Sequence, residues 1–132
     1  MEQINKVILV IDDSSVTLHF LSELLKGKGY RVHTARNGKQ AICTLENNII
    51  DLVLLDLMMP QMNGFEVLQY IKSIPGLDEI PVLVVSACSD QDSIDKAINM
   101  GASGYFVKPL IIEDLLAKVD HMLVSAKSTI IL

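Results

Sequence analysis

Val7-Ile8-Leu9-Val10-Ile11-Asp12-Asp13 is the stretch that decides the fold of this chain. Five successive apolar residues, mostly β-branched, leave no polar face. The segment therefore reads as a strand covered on both sides, as in the middle of a parallel sheet. It runs straight into two carboxylates. Leu52-Val53-Leu54-Leu55-Asp56 repeats the pattern with a third. Each acid stands where a core strand emerges.

Outward from these runs, strand and helix signals alternate. Further strand candidates are Arg31–Ala35, Val82–Val85 and Tyr105–Val107. Val16, Phe20, Leu21, Leu24 and Leu25 fall on one face of a first helix, with Ser14 or Ser15 as its cap. Gly27 and Gly29 stop it. Gly38 to Glu46 gives a second helix. Phe65, Leu68 and Ile71 mark a third, ended by Pro75-Gly76. Ser89-Asp90-Gln91-Asp92 resembles a capping box opening a fourth, which Gly101 closes. Ile112, Leu115, Leu116, Val119, Met122 and Leu123 form a fifth apolar stripe. Five strand–helix units predict an α/β fold, a (βα)5 doubly wound parallel sheet with right-handed crossovers. The active crevice of such a sheet lies beyond the carboxyl ends of its strands. Those ends carry Asp12-Asp13, Asp56, Ser86 and Lys108.

The 132 residues predict a single domain, 1–132, with its core over about 6–124 and a tail or linker start at 125–132. Half the residues are apolar and mean hydropathy is +0.39, which argues against disorder. The longest apolar runs are about five residues, against the ~20 that span a bilayer. The first six residues show no basic region leading into a long apolar one. A cytoplasmic protein without a membrane partner is expected. The net charge of −5 argues against direct nucleic-acid binding by this domain. Cys43 and Cys88 form no CxxC pair and read as reduced, packed thiols. His19, His33 and His121 are scattered and share no motif.

Asp12, Asp13 and Asp56 are hard oxygen ligands, suited to Mg²⁺ together with a carbonyl, waters and a phosphoryl oxygen. Read alone, Asp12 or Asp13 could equally cap the following helix. Capping explains neither Asp56 nor Lys108. A Lys at the end of a buried strand is costly unless it meets negative charge, and Asp56 or a phosphoryl oxygen would supply it. Pro109 makes Lys108–Pro109 a candidate cis peptide bond. Ser86 offers a hydroxyl donor. The methionines around Asp56, namely Met58, Met59 and Met62, read as core or loop filling.

In this order, Ile11-Asp12-Asp13, Leu55-Asp56-Leu57-Met58-Met59-Pro60 with Gly64, Val85-Ser86-Ala87 and Gly104-Tyr105-Phe106-Val107-Lys108-Pro109 resemble a bacterial two-component response-regulator receiver domain. The likeness covers about Lys6 to Val124. It implies the flavodoxin-like strand order 2-1-3-4-5. It implies that Asp56 is a phosphoacceptor attacking a phosphohistidine on a sensor kinase or histidine phosphotransfer protein. Asp13, Asp56 and the Met58 carbonyl would ligate Mg²⁺, with Mn²⁺ as a substitute, and Asp12 would act through water. Lys108 and Ser86 would hold the phosphoryl group. Ser86 and Tyr105 would form a switch remodelling the face made by the fourth helix, fifth strand and fifth helix, read by an output domain or target. The resemblance implies a signalling switch with weak self-catalysed phosphotransfer and dephosphorylation, not an enzyme proper. A monomer, or a weak dimer on phosphorylation, is expected.

Met58 and Cys88 should border the phosphorylation pocket. Neither brings an acid or amide to orient a water, which predicts slow self-dephosphorylation. Cys88 is alternatively a reactive thiol. Other readings are a degenerate receiver-like interaction domain without phosphate turnover, a nucleotide- or flavin-binding enzyme, and an Asp-nucleophile phosphatase. The intact set of Asp12, Asp13, Asp56, Ser86 and Lys108 opposes the first. Asp12-Asp13-Ser14-Ser15 stands where the second needs a glycine-rich loop. Met58 stands where the third needs a second acid.

Overall fold

Every strand among the described residues pairs in parallel, in the order β2-β1-β3-β4-β5. The computed structural model describes residues 6–60 and 62–128, and side chains up to Leu123. The strands are β1 (Val7–Ile11), β2 (Arg31–Ala35), β3 (Leu52–Leu55), β4 (Val82–Ser86) and β5 (Gly104–Val107). The helices are α1 (Ser15–Gly27), α2 (Gly38–Asn47), α3 (Gly64–Ser73), α4 (Gln91–Asn99) and α5 (Ile112–Ser128). Each strand is followed by a helix, so the predicted (βα)5 sheet is the observed one. α5 runs through Ser128, so the first four residues of the expected tail continue the helix. The rest of that tail lies outside the described residues.

Successive side chains of a strand point to opposite faces, and here both faces are covered. Leu9, Ile11, Val53, Leu55, Val82 and Val84 face a core closed by α2, α3 and α4. Ile8, Val10, Leu52, Leu54, Leu83 and Val85 face a second core closed by α1 and α5. This two-sided burial is why β1, β3 and β4 read as unbroken apolar runs. β2 and β5 pair on one edge only and are less buried.

Two expectations need correction. The buried face of α1 is Leu18, Leu21, Ser22 and Leu25. Val16 is 78% exposed and Phe20 48% exposed, so neither belongs to the core. Apolar periodicity marks a stripe, but the stripe of α1 is wider than the surface the sheet covers. The cap of α4 is Asp90, not Ser89: its carboxylate accepts from the Ser93 backbone N–H at 3.0 Å. Ser14 caps α1 by accepting from the Thr17 N–H.

The register sets the site. Ile11 of β1 lies beside Leu55 of β3, so the next residues, Asp12 and Asp56, become neighbours. β1 is also where the chain order reverses, with β2 on one side and β3 on the other, the position at which open α/β sheets leave a crevice.

The corrected α1 face is testable by urea denaturation. Leu21→Ala should lower unfolding free energy by about 2–5 kcal/mol, as for other buried leucines. Val16→Ala should change it by no more than about 0.5 kcal/mol. A large loss for Val16→Ala would return that residue to the core.

Candidate functional site

Asp12, Asp13 and Asp56 offer carboxylate oxygens within 4.8 Å of one another. Asp12 and Asp56 are 3% and 5% exposed, while Asp13 is open to solvent. The backbone holds them there. The Asp56 N–H donates to the Ile11 carbonyl at 2.9 Å, and the Asp12 N–H to the Ala35 carbonyl at 3.1 Å. The Ser14 N–H donates to Asp12 Oδ1 at 2.9 Å and the Met58 N–H to Asp56 Oδ1 at 3.1 Å. Each buried acid thus has one oxygen fixed by the backbone and one turned to its surroundings.

Lys108 closes the site from the end of β5. Its Nζ lies 2.7 Å from Asp12 Oδ2 and 3.9 Å from Asp56 Oδ2. The expected pairing with Asp56 is present, and Asp12 is the closer partner. The Lys108 N–H donates to the Ser86 carbonyl at 2.9 Å, and the Lys108–Pro109 peptide bond is cis. Three carboxylates against one ammonium leave an excess of negative charge. Burial, foremost, pushes the Asp56 carboxyl above its ordinary value; the Asp12 charge adds to this, while the Met58 N–H and Lys108 oppose it. Among the described residues no buried side-chain nitrogen or oxygen lacks a partner. A hard divalent cation fits this set: the donors are oxygens, they converge, and a dication would relieve the charge that burial penalises.

Ser86 is fully buried as the last residue of β4, and its Oγ accepts from the Cys88 N–H at 3.2 Å. The Tyr105 hydroxyl donates to the Cys88 carbonyl at 2.7 Å. Ser86 and Tyr105 thus hold the same short loop from two sides. Burial is the main cause that keeps the Tyr105 phenol above its ordinary value. The Cys88 thiol donates to Asp90 Oδ1 at 2.6 Å, which, as the largest cause, lowers the Asp90 carboxyl. The Met58 side chain is 60% exposed.

Some features have no counterpart in the sequence reading. Asn63 and Glu66 form a reciprocal capping box at the start of α3; the Asn-x-x-Glu spacing is the signal that marks it. A Cβ on Gly64 would run into the Asp56 carbonyl and Leu57 Cα, so only glycine lets α3 begin against the backbone of Asp56. Thr17, Phe20, Leu21, Lys108, Pro109, Leu110 and Ile112 line a cleft of about 260 Å³ beside the site. A second cleft, of about 440 Å³, is lined by Asp13, Arg36, Asn37, Gln40 and Pro60.

Residues 8–120 match the family model described as response regulator receiver domain. The chain belongs to that family. As a receiver domain of the two-component kind it is a module of signal transduction, a switch by class. It is 38% identical over its whole length to a probable cyclic di-GMP phosphodiesterase of Vibrio cholerae, of which it spans 30%. It is 42% identical over 82% of its length to the transcriptional regulatory protein ZraR of Klebsiella oxytoca, spanning 24% of it. It is 35% identical over 88% of its length to the response regulator MprA of a Mycobacterium species, spanning half of that protein. The chain therefore spans only about a quarter to a half of these relatives. Among solved structures, the chemotaxis protein CheY4 of Vibrio cholerae superimposes with a TM-score of 0.84 at 28% identity, covering 89% of this chain and 98% of that one. A CheY-like receiver protein of Methanospirillum hungatei gives 0.87 at 27% identity, covering 94% and 98%. No helix among the described residues is long and apolar enough to cross a membrane.

The raised Asp56 carboxyl has a consequence for stability. The folded state binds this proton more tightly than the unfolded chain. Stability is therefore lost as pH rises from the ordinary carboxylate value through the raised folded one. Asp56→Asn removes that loss. In metal-free buffer at pH 7 the variant should melt at a higher temperature than the parent. The gain should shrink as pH falls toward the ordinary carboxylate range. Identical melting curves at pH 7 would contradict the charge excess.

Proposed function

We propose that this domain accepts a phosphoryl group on Asp56 from a partner's phosphohistidine, using Mg²⁺, and passes the change to its α4-β5-α5 face. One observation carries the reading. Asp12, Asp13 and Asp56 converge within 4.8 Å, with the Lys108 ammonium 2.7 Å from Asp12 and 3.9 Å from Asp56. Phosphoryl transfer needs positioning and charge neutralisation more than covalent machinery. An Asp56 carboxylate oxygen attacks phosphorus; a P–O bond forms and the P–N bond of the donor breaks. The electron pair of that bond stays with the imidazole, which takes up a proton as it leaves. Lys108 trades Asp12 for an equatorial phosphoryl oxygen. Asp13, Asp56 and the Met58 carbonyl would hold Mg²⁺ (or Mn²⁺), and Asp12 would reach it through water. Bound there, the ion would neutralise phosphoryl oxygens during transfer.

The readout runs through Ser86 and Tyr105. A phosphoryl group brings strong acceptor oxygens. The buried Ser86 hydroxyl turns to one of them. The loop it shares with Tyr105 then moves, since the Tyr105 hydroxyl is bonded to the Cys88 carbonyl. That shifts a two-state balance at α4, whose single buried residue is Ala97.

A sensor kinase or histidine phosphotransfer protein is the donor in this reading. The exposed apolar side chains of Val16 and Phe20, one helical turn apart, support a protein donor, because Phe20 shares a cleft with Lys108. An output domain or separate target takes the signal. Cytoplasmic location, and a monomer or weak phosphorylation-dependent dimer, complete the reading.

Acetyl phosphate with Mg²⁺ tests it, followed by intact mass. The protein should gain one phosphoryl group, and Asp56→Asn should gain none. A protein that stays unmodified is the degenerate interaction domain instead.

Lifetime follows from the rim. Met58 points to solvent, and Cys88 gives its thiol to Asp90, so neither orients a water. Phospho-Asp56 should persist for minutes or longer without a phosphatase. Met58→Asn should shorten its life about tenfold, the effect of one transition-state hydrogen bond. A parent half-life of seconds would refute this part.

A further inference from the structure

The loop between β3 and α3 carries Asp56 and the Met58 carbonyl, and both its ends are fixed. At the start, Asp56 is tied to Ile11, and the Gly64 N–H donates to the Leu57 carbonyl at 3.0 Å. At the end, Gly64 packs against the Asp56 backbone. Two residues before Gly64, Met62 makes a further contact. Met62 is half-buried against the core beneath α2. A Cβ on Gly38 would lie 2.8 Å from Met62 Cβ and 2.7 Å from Cγ, with Sδ nearer still. Met62 fills the volume that a side chain at position 38 would need.

Gly38 opens α2, after the Asn37 cap. It is not among the positive-φ glycines of the chain, and glycine disfavours a helix. Local conformation gives no reason for it; the Met62 contact does. The contact also joins the start of α2 to the loop that carries Asp56. Asn37, next to Gly38, lines the cleft that Asp13 and Pro60 share. Met62 sits in the loop that begins at Asp56. An unbranched thioether suits such an irregular seat.

We infer that Met62, seated on Gly38, is a positioning residue that sets the distance between Asp13 and the Asp56–Met58 loop, and hence the affinity of the site for a divalent cation. The inference rests on the metal-assisted phosphoacceptor function proposed for the site. It assigns no chemistry to Met62.

The test measures Mg²⁺ affinity by calorimetry, thermal stability without metal, and acetyl phosphate uptake across Mg²⁺ concentrations. The proteins are the parent, Gly38→Ala, Met62→Ala and the double variant. Each single variant should weaken Mg²⁺ binding by about 10- to 100-fold, the range for residues that support metal ligands. Phosphorylation should recover at saturating Mg²⁺. The double variant should bind Mg²⁺ more tightly than Gly38→Ala, because the clash is gone. Single variants that melt lower yet bind Mg²⁺ like the parent would overturn the inference, leaving the contact as packing alone. So would a double variant whose losses simply add. If Gly38→Ala does not fold, Met62→Ala decides by its Mg²⁺ affinity, weakened or unchanged. A parent that neither binds Mg²⁺ nor takes up phosphate defeats the phosphoacceptor reading instead, so the two failures are distinguishable.

Discussion

The structure turns on a charge imbalance, three carboxylates gathered at the mouth of a parallel sheet against one lysine. Two of those acids are buried, and burial disfavours their charged form. The sheet nonetheless forces them together, because the β1–β3 register makes neighbours of Asp12 and Asp56. Lys108 meets Asp12 closely and Asp56 only at 3.9 Å. What Lys108 leaves unneutralised is negative charge, which a divalent cation would offset. A site balanced by the protein alone would have less use for one.

The same geometry explains how a small chemical event could travel. Ser86 and Tyr105 both hold the loop between β4 and α4, one through a backbone N–H and one through a carbonyl. α4 has little core beneath it. Its link to α3 includes the Lys96 ammonium over the Phe65 ring at 4.3 Å, an interaction of modest strength. A helix held by few buried contacts is the kind of element whose position a local change can bias. α1 and α5, in contrast, bury long apolar stripes and serve as the fixed side of the molecule.

Much of this is legible in the sequence, for physical reasons. Unbroken apolar runs mark strands buried on both faces, so β1, β3 and β4 and their terminal acids stand out. β5 is legible by its company, Gly104 to Pro109. The α1 stripe misleads at Val16 and Phe20, because periodicity cannot separate a core stripe from apolar surface beside it. The cap of α4 lies one residue beyond the expected one, since Ser89 and Asp90 are both good caps and only the backbone path chooses. Which acid lies closer to Lys108 is beyond the sequence. Lys108 and Asp12 are 96 positions apart, and the choice of Asp12 over Asp56 depends on fine strand placement. Gly38 against Met62 is of the same kind: each residue looks ordinary alone, and only packing couples them.

If the charge imbalance governs the site, a dication must be present before it can hold a phosphoryl group. Binding of beryllofluoride, a stable phosphoryl mimic, followed by NMR in Mg²⁺ and again in EDTA, separates the two cases. Saturable shifts around Asp56, Ser86 and Tyr105 are expected in Mg²⁺ and none in EDTA. Equal binding in both would show that Lys108 suffices, and would contradict the part played by the three carboxylates.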